Sequence, residues 1–167
     1  MDYAVRRART LDVREIRALV DANVESGRLL DKATVALYED VQEFWVAVSA
    51  DGKVAGCGAL HVMWEDLAEI RTVAVAAEHQ GHGVGHLIVA ALLDAAREVG
   101  VNRVFVLTFA VAFFRGHGFA EIKGQAAAPE VYAELLQSYD EGVAEFLDLD
   151  RVKPNTLGNT RMLLRLR

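Results

Sequence analysis

The chain has 167 residues, 53% of them hydrophobic, and a formal net charge of −6 at pH 7; this suits one domain, residues 1–167, large enough for a real core. The acidic balance argues against a nucleic-acid partner, which needs a basic surface. The single Cys57 excludes a disulfide framework and any multi-cysteine zinc site. With no apolar run of 18 residues and no charged-then-apolar leader, neither a membrane span nor a secretion signal is expected, and a cytoplasmic location follows.

Residues 3–8 read as a first strand, and Thr10 as the N-cap of a helix with Leu11, Ile16, Leu19 and Val20 inward. After the irregular stretch 25–32 comes a second helix over residues 33–41, and loops between such helices often hold a variable substrate site. Residues 44–48 and 53–61 read as strands joined by Asp51-Gly52, a strong hairpin signal. Cys57 within them reads as a small core residue. Residues 63–66 return the chain to a strand beginning near Glu69, which makes an antiparallel meander.

Glu69 to Gly100 is the stretch around which the rest is organised. A β-rich run to Val75 leads into Gln80-Gly81-His82-Gly83-Val84-Gly85, and then into a helix with Leu87, Ile88, Ala91, Leu92 and Ala95 at 3.6-residue spacing and Gly100 as its C-terminal cap. Strand, glycine turn, helix is the layout of an anion cradle, because the first N–H groups of a helix have no internal partner and glycines let a phosphate come close. A P-loop would need Lys and Ser or Thr after its last glycine, and His86-Leu87 stands there instead. The dinucleotide fingerprint G-x-G-x-x-G does not fit Gly81, Gly83 and Gly85 either.

Beyond the helix, residues 103–109 form a nearly continuous apolar run, the pattern of a buried strand made parallel by a helical crossover. A short helix over 111–115 and a turn into a strand at 116–122 follow. Pro129 opens a last helix with Val131, Leu135 and Leu136 at core spacing, and residues 152–167 close the sheet with Met162, Leu163, Leu164 and Leu166. The order βααβββαβαβαβ predicts an α/β chain with a central mixed sheet flanked by helices.

The pattern Gln80-x-x-Gly83-x-Gly85 between strand and helix resembles the acetyl-CoA pyrophosphate loop of GNAT-type N-acetyltransferases. With Gly56 to His61, Ala68 to Val75, Val104 to Phe109 and Phe113 to Phe119 in one order, the chain is similar to the acetyltransferase domain of N-acetylglutamate synthases, in the short form that lacks an amino-acid-kinase domain. The resemblance implies the GNAT fold and acetyl-CoA as co-substrate. It also implies an enzyme that moves acetyl to the α-amino group of L-glutamate, the first step of arginine synthesis. In this scheme Val73, Ala74 and Val75 receive the pantetheine arm, Gln80, Gly81, His82, Gly83, Val84 and Gly85 cradle the pyrophosphate, and Phe109, Phe113 and Phe114 pack on the coenzyme. Many relatives carry Tyr at the position of Phe114 as proton donor to the CoA thiolate; Phe cannot serve, so either Thr108, Tyr139 or a water takes that part or the thiolate leaves unprotonated.

The chemistry asks for a base, since an ammonium group is not nucleophilic. Glu69 is the best placed carboxylate, and two-residue alternation puts it on one strand face with Arg71, Val73 and Val75. The bland alternative is a structural pair with Arg71. Glutamate needs cations for two carboxylates, for which Arg71, Lys32 and Arg161 are the candidates. Lys32 falls near a basic pair of the synthase loop in which Asp31 replaces one member, so glutamine or another amine remains an alternative acceptor, as does a catalytically silent acyl-CoA-binding module. His82 and His86 stand four apart, but no carboxylate or Cys lies at ligand spacing and no metal is expected. The partners expected are a small-molecule amino acid, with no nucleic acid and no membrane; a homodimer is left open.

Overall fold

A computed structural model of the chain describes residues 2–25, 32–147 and 158–166. Its elements are β1 (Tyr3–Arg7), α1 (Val13–Glu25), α2 (Thr34–Glu39), β2 (Phe44–Ser49), β3 (Val54–Trp64), β4 (Leu67–Val75) and α3 (Val84–Val99), followed by β5 (Arg103–Thr108), α4 (Val111–Gly116), β6 (Ala120–Glu121), α5 (Pro129–Leu135), α6 (Glu141–Phe146) and β7 (Thr160–Arg165). The strands pair in the order β1-β2-β3-β4-β5-β7-β6. β4 and β5 are parallel, while the β1/β2, β2/β3, β5/β7 and β6/β7 ladders are antiparallel. The sheet is therefore mixed, with its parallel step made by the α3 crossover. The chain divides into two compact units, Met1–His61 with Thr72–Ala95 and Val62–Arg71 with Ala96–Arg167.

In the first unit, Val13, Ile16, Val20 and Leu37 pack with Phe44, Val46, Cys57, Ala59 and Ala74. Leu11, expected inward, is 89% exposed. The cause is Asp12, whose carboxylate accepts the Arg9 N–H at 2.7 Å and pairs with Arg6 at 2.7 Å. These bonds make residues 10–12 a separate 3-10 turn, so the helix begins at Val13 and not after Thr10. The Arg6 guanidinium holds the Asp12 carboxyl below its ordinary range. At the Asp51-Gly52 turn, Gly52 adopts φ +84° and donates to the Ser49 carbonyl at 2.9 Å, as the hairpin signal required.

Helix α3 packs on the opposite strand face, where glycine takes the place of side chains. A Cβ at Gly58 would lie 2.6 Å from Ile88 Cγ2 and 3.0 Å from Leu92 Cδ1, and one at Gly56 would lie 2.7 Å from Val84 Cγ1. Cys57 and Ala59 alternate with these glycines into the α1 core, so both faces of this unit are covered. The buried stripe of α3 comprises Val84, Ile88, Val89, Leu92, Ala95 and Ala96, whereas Leu87 is 41% exposed and does not belong to it. Gly100, at φ +104°, donates to the Ala96 carbonyl and ends the helix.

In the second unit, Met63, Leu67 and Phe105 pack against Leu135, Val143, Phe146 and Leu147. The expected last helix is two helices. Pro129 opens α5 and Leu135 is buried, but Leu136 is 49% exposed. A second N-terminus then forms at Asp140, whose side chain accepts the Val143 N–H and starts α6. Val143, Phe146 and Leu147 make its buried face at the i, i+3, i+4 spacing. Residues 152–157 of the expected closing segment lie outside the described residues; β7 closes on β5 and β6 with Met162 fully buried.

The two-residue count along β4 does not run through. Thr72 has φ +58°, a left-handed conformation that a β-branched residue rarely takes. Extended alternation stops there, so the face shared by Glu69 and Arg71 cannot be carried by counting to Val73 and Val75. The join between the two units in β4 falls at the same point, between Arg71 and Thr72.

Gly58→Ala should lower stability by about 1–3 kcal/mol, because the added methyl has to displace the rigid Ile88 and Leu92 contacts of α3. Urea denaturation measures this. A stability equal to the parent protein's would mean that α3 does not lie flush on β3.

Candidate active site

The centre of the second unit's site is a buried guanidinium. Arg71 Nε donates to Glu69 Oε1 at 2.9 Å, Nη2 lies 2.8 Å from the same oxygen, and Nη1 donates to Asp140 Oδ1 at 2.6 Å. The side chains of Arg71 and Glu69 are only 9% and 5% exposed, and that of Asp140 is 22% exposed. A guanidinium this far from water needs such neighbours, because a buried unpaired charge is costly. Its flat face lies on the first turn of α6: a Cβ at Gly142 would fall 2.6 Å from both Nη1 and Nη2. Asp140 Oδ1 accepts both the Val143 N–H at 3.0 Å and Arg71, so one carboxylate caps a helix and neutralises a strand cation. Sequence reasoning brought Glu69 and Arg71 together but missed Asp140 and Gly142. An Asp three residues before a buried Val is the N-cap signal that would have found α6.

The other sequence-derived residues of this unit have definite places. Thr108 accepts the Ala110 N–H through Oγ1 at 2.8 Å, which leaves its own O–H to be donated. Phe109 is 49% exposed, while Phe114 is 4% exposed and stacked edge-on between Phe113 at 5.0 Å and Phe119 at 5.4 Å. Phe114 is thus a core ring, with little surface for a coenzyme. Arg161 donates to the carbonyls of Gly124 at 3.1 Å and Phe146 at 2.8 Å and to Gln125 Oε1 at 3.1 Å. It also stacks over the Phe105 ring at 4.9 Å. These contacts brace the 124–125 loop and the end of α6. Tyr139 is 99% exposed.

The first unit holds the glycine turn. Gly81 and Gly83 have φ +77° and +80°, conformations that favour glycine, and a Cβ at either would meet nothing within 4 Å. The first helical bond runs from Leu87 N–H to the Gly83 carbonyl, which makes Gly83 the cap and puts Gly85 inside the first turn of α3. Gln80, Gly81, His82 and Gly83 are all exposed, and His82 Nδ1 lies 3.1 Å from the Gln80 carbonyl. An open glycine nest followed by a helix start is the arrangement a pyrophosphate would need. Tyr3 Oη lies 2.9 Å from His79 Nδ1 and so ties β1 to the turn before this loop. Val73 and Val75 are half-buried and Ala74 is in the core. The Lys32 carbonyl accepts from Arg17 and its side chain is half-buried. Among the described residues no group of three or more His, Cys, Asp and Glu could hold a metal ion.

The Acetyltransferase (GNAT) family model matches residues 21–119. The chain belongs to that family. It is 61% identical over 163 residues to the amino-acid acetyltransferase of Mycobacterium tuberculosis, covering 96% of this chain and 92% of the relative. The crystal structure of the M. tuberculosis protein Rv2747, solved in complex with CoA, superimposes with a TM-score of 0.95 at 60% identity over 98% of this chain and 99% of that one. The N-acetylglutamate synthase of Neisseria gonorrhoeae, complexed with coenzyme A and N-acetyl-glutamate, has a TM-score of 0.78 at 24% identity over the whole of this chain and 36% of its own. That last likeness concerns the fold. The mixed sheet expected from the sequence is the GNAT sheet, and the protein is an acetyltransferase that uses acetyl-CoA.

Cys57 is not part of the chemistry. It is fully buried, its Sγ donates to the Thr72 carbonyl at 3.5 Å, and burial pushes its thiol up to about 12. The raised value keeps the thiol protonated at neutral and mildly alkaline pH, and the thiolate is the reactive form. Iodoacetamide at pH 8 should therefore leave the folded protein unlabelled and modify one site after urea denaturation. Mass spectrometry distinguishes the two, and stoichiometric labelling of the native protein would contradict the burial.

Proposed function

We propose that residues 1–167 act as one acetyltransferase domain that transfers acetyl from acetyl-CoA directly to the α-amino group of L-glutamate, within a ternary complex. The observation that carries this reading is the match to the M. tuberculosis amino-acid acetyltransferase over nearly the whole of both chains, joined to a buried carboxylate, Glu69, on the strand that leads into the glycine turn. Glutamine is the second acceptor to consider, because Asp31 stands where the synthase loop carries a second basic residue. A cytoplasmic location goes with this reading. Among the described residues no helix is long and apolar enough to cross a membrane.

In this reading Glu69 removes one proton from the substrate ammonium. Its partner Arg71 favours the ionised carboxylate, the form a base requires. The freed amine attacks the thioester carbonyl carbon, and the backbone N–H of Val73, next to the kink at Thr72, donates to the oxyanion that forms. The C–S bond then breaks. The nitrogen gives up a second proton and the departing thiolate takes up one of the two, so that acetyl-CoA and the ammonium acceptor yield free CoA, the N-acetyl amino acid and one proton. Thr108 is assigned as the donor to the thiolate. Gln80, Gly81, His82, Gly83, Val84 and Gly85 are assigned to the pyrophosphate. For the acceptor carboxylates, Lys32 is the candidate of the first unit and Arg161 that of the second, where it would have to exchange a carbonyl for substrate. Arg71 already serves two protein carboxylates, which makes it a weaker α-carboxylate clamp than the strand pattern suggested.

The cradle is tested best at Gly85. Gly81 and Gly83 need φ above zero, so a side chain there would strain the turn, whereas Gly85 lies in helical backbone. Gly85→Val should weaken acetyl-CoA binding by calorimetry in a protein with unchanged circular dichroism; unchanged affinity would remove the loop from the coenzyme site.

For the chemistry, Glu69→Gln should reduce turnover by roughly 10²- to 10⁴-fold, the usual contribution of a general base, with little change in acetyl-CoA affinity. The assay is acetyl-CoA-dependent thiol release with glutamate, glutamine and the other free amino acids offered in turn. Parent-level rates in the variant would make Glu69 structural, and thiol release with none of the amino acids would overturn the acceptor class.

A further inference from the structure

Asp140 makes two strong contacts with one oxygen, and they serve different ends. The bond to the Val143 N–H caps α6, while the 2.6 Å bond to Arg71 Nη1 reaches the cation that holds Glu69. Arg71 cannot slide away from this arrangement, since its guanidinium face is pressed on Gly142, where no Cβ fits. From these contacts we infer that Asp140 is a positioning residue for the reaction, acting on Glu69 through Arg71 and sharing that counter-ion so that Glu69 stays a competent base. This rests on the reading of Glu69 given above.

The physical reason is a matter of charge. A carboxylate paired alone with a buried guanidinium is stabilised in its ionised form and gives up basicity. A second carboxylate on the same guanidinium divides the attraction and adds like-charge repulsion, so the first holds a proton more readily. The triad of Glu69, Arg71 and Asp140 carries a formal charge of −1, where the pair alone would carry none. Arg71 is on the same strand as Glu69 and Asp140 heads α6. On β5, Phe105 stands opposite Glu69, and Arg161 of β7 stacks over that ring with its own donors on carbonyls. Arg103 is paired with Asp66 two register positions further along β5.

The experiment separates the cap from the charge. Asn and Ser are good N-cap residues, so Asp140→Asn and Asp140→Ser keep the start of α6 and remove only the second carboxylate. The titration of the Glu69 side chain is followed by carbon-13 NMR in the parent protein and both variants, assigned with Glu69→Gln. Rates are measured across pH with saturating acetyl-CoA. The expected result is that Glu69 titrates at lower pH in both variants, that the acidic limb of kcat/KM moves the same way, and that the maximal rate falls roughly three- to tenfold, a fraction of what the base itself supplies. The KM for acetyl-CoA should not change. If Glu69 titrates at the parent's pH in both variants, Asp140 is a helix cap only and the inference is overturned. If the NMR titration moves while Glu69→Gln keeps the parent rate, the coupling is real but Glu69 is not the base, and the positioning role falls together with that reading. A normal Glu69→Gln loss with unshifted limbs in the Asp140 variants would overturn the positioning role alone.

Discussion

The left-handed turn of the backbone at Thr72 is the constraint on which the arrangement of β4 depends. A β-branched residue held at φ +58° costs on the order of 1–3 kcal/mol, so the surroundings have to hold it there. Thr72 is 7% exposed, and its carbonyl accepts from the buried Cys57 thiol, which fixes the kink from the neighbouring strand. Upstream of it stand the charged residues of the strand, Glu69 and Arg71. Downstream stand Val73, Ala74 and Val75, which lead into the glycine turn. One strand thus carries a buried ion cluster and an apolar run into the glycine turn, with a break in periodicity between them.

The charged half of β4 shows how a sheet can hold an ion cluster. Isolated, either Glu69 or Arg71 would be expensive at this depth. Together with Asp140 they satisfy one another, and the cluster is sealed by packing as much as by charge. Gly142 admits the guanidinium face, and Val143, Phe146 and Leu147 anchor the same helix on Phe105, Met63 and Leu67. The helix that completes the polar cluster is therefore held by the apolar core beneath it. Arg161 has the corresponding role at the far end of α6, with its cation on the Phe105 and Phe146 rings and a bond to the Phe146 carbonyl.

The sequence by itself determined a good deal here. Two apolar runs joined by the Asp51-Gly52 signal gave β2, β3 and their hairpin, and 3.6-residue spacing with a terminal glycine gave α3. The glycine turn between strand and helix led, by resemblance, to the GNAT family. Each of these depends on near neighbours in the chain, where a short window holds the physics. The same windows gave the wrong faces for Leu11, Leu87 and Leu136, because an apolar residue at an element's end can turn outward when a cap or a 3-10 turn shifts the phase. Asp12 provides that shift for Leu11, through a contact with Arg6 six residues away.

What only the tertiary structure decided are the matters settled by residues far apart in sequence. Arg71 meets Asp140 across 69 positions, and no pattern around either residue encodes that pairing. The small residue at Gly142 has its reason in a guanidinium from another element, and the left-handed Thr72 interrupts a strand that reads as regular from composition alone. Phe114 looked like a coenzyme contact in the motif and is enclosed by Phe113 and Phe119 instead. Sequence specifies which groups are available and where local geometry repeats. Burial and charge compensation, which depend on everything folded around a group, decide which of them meet.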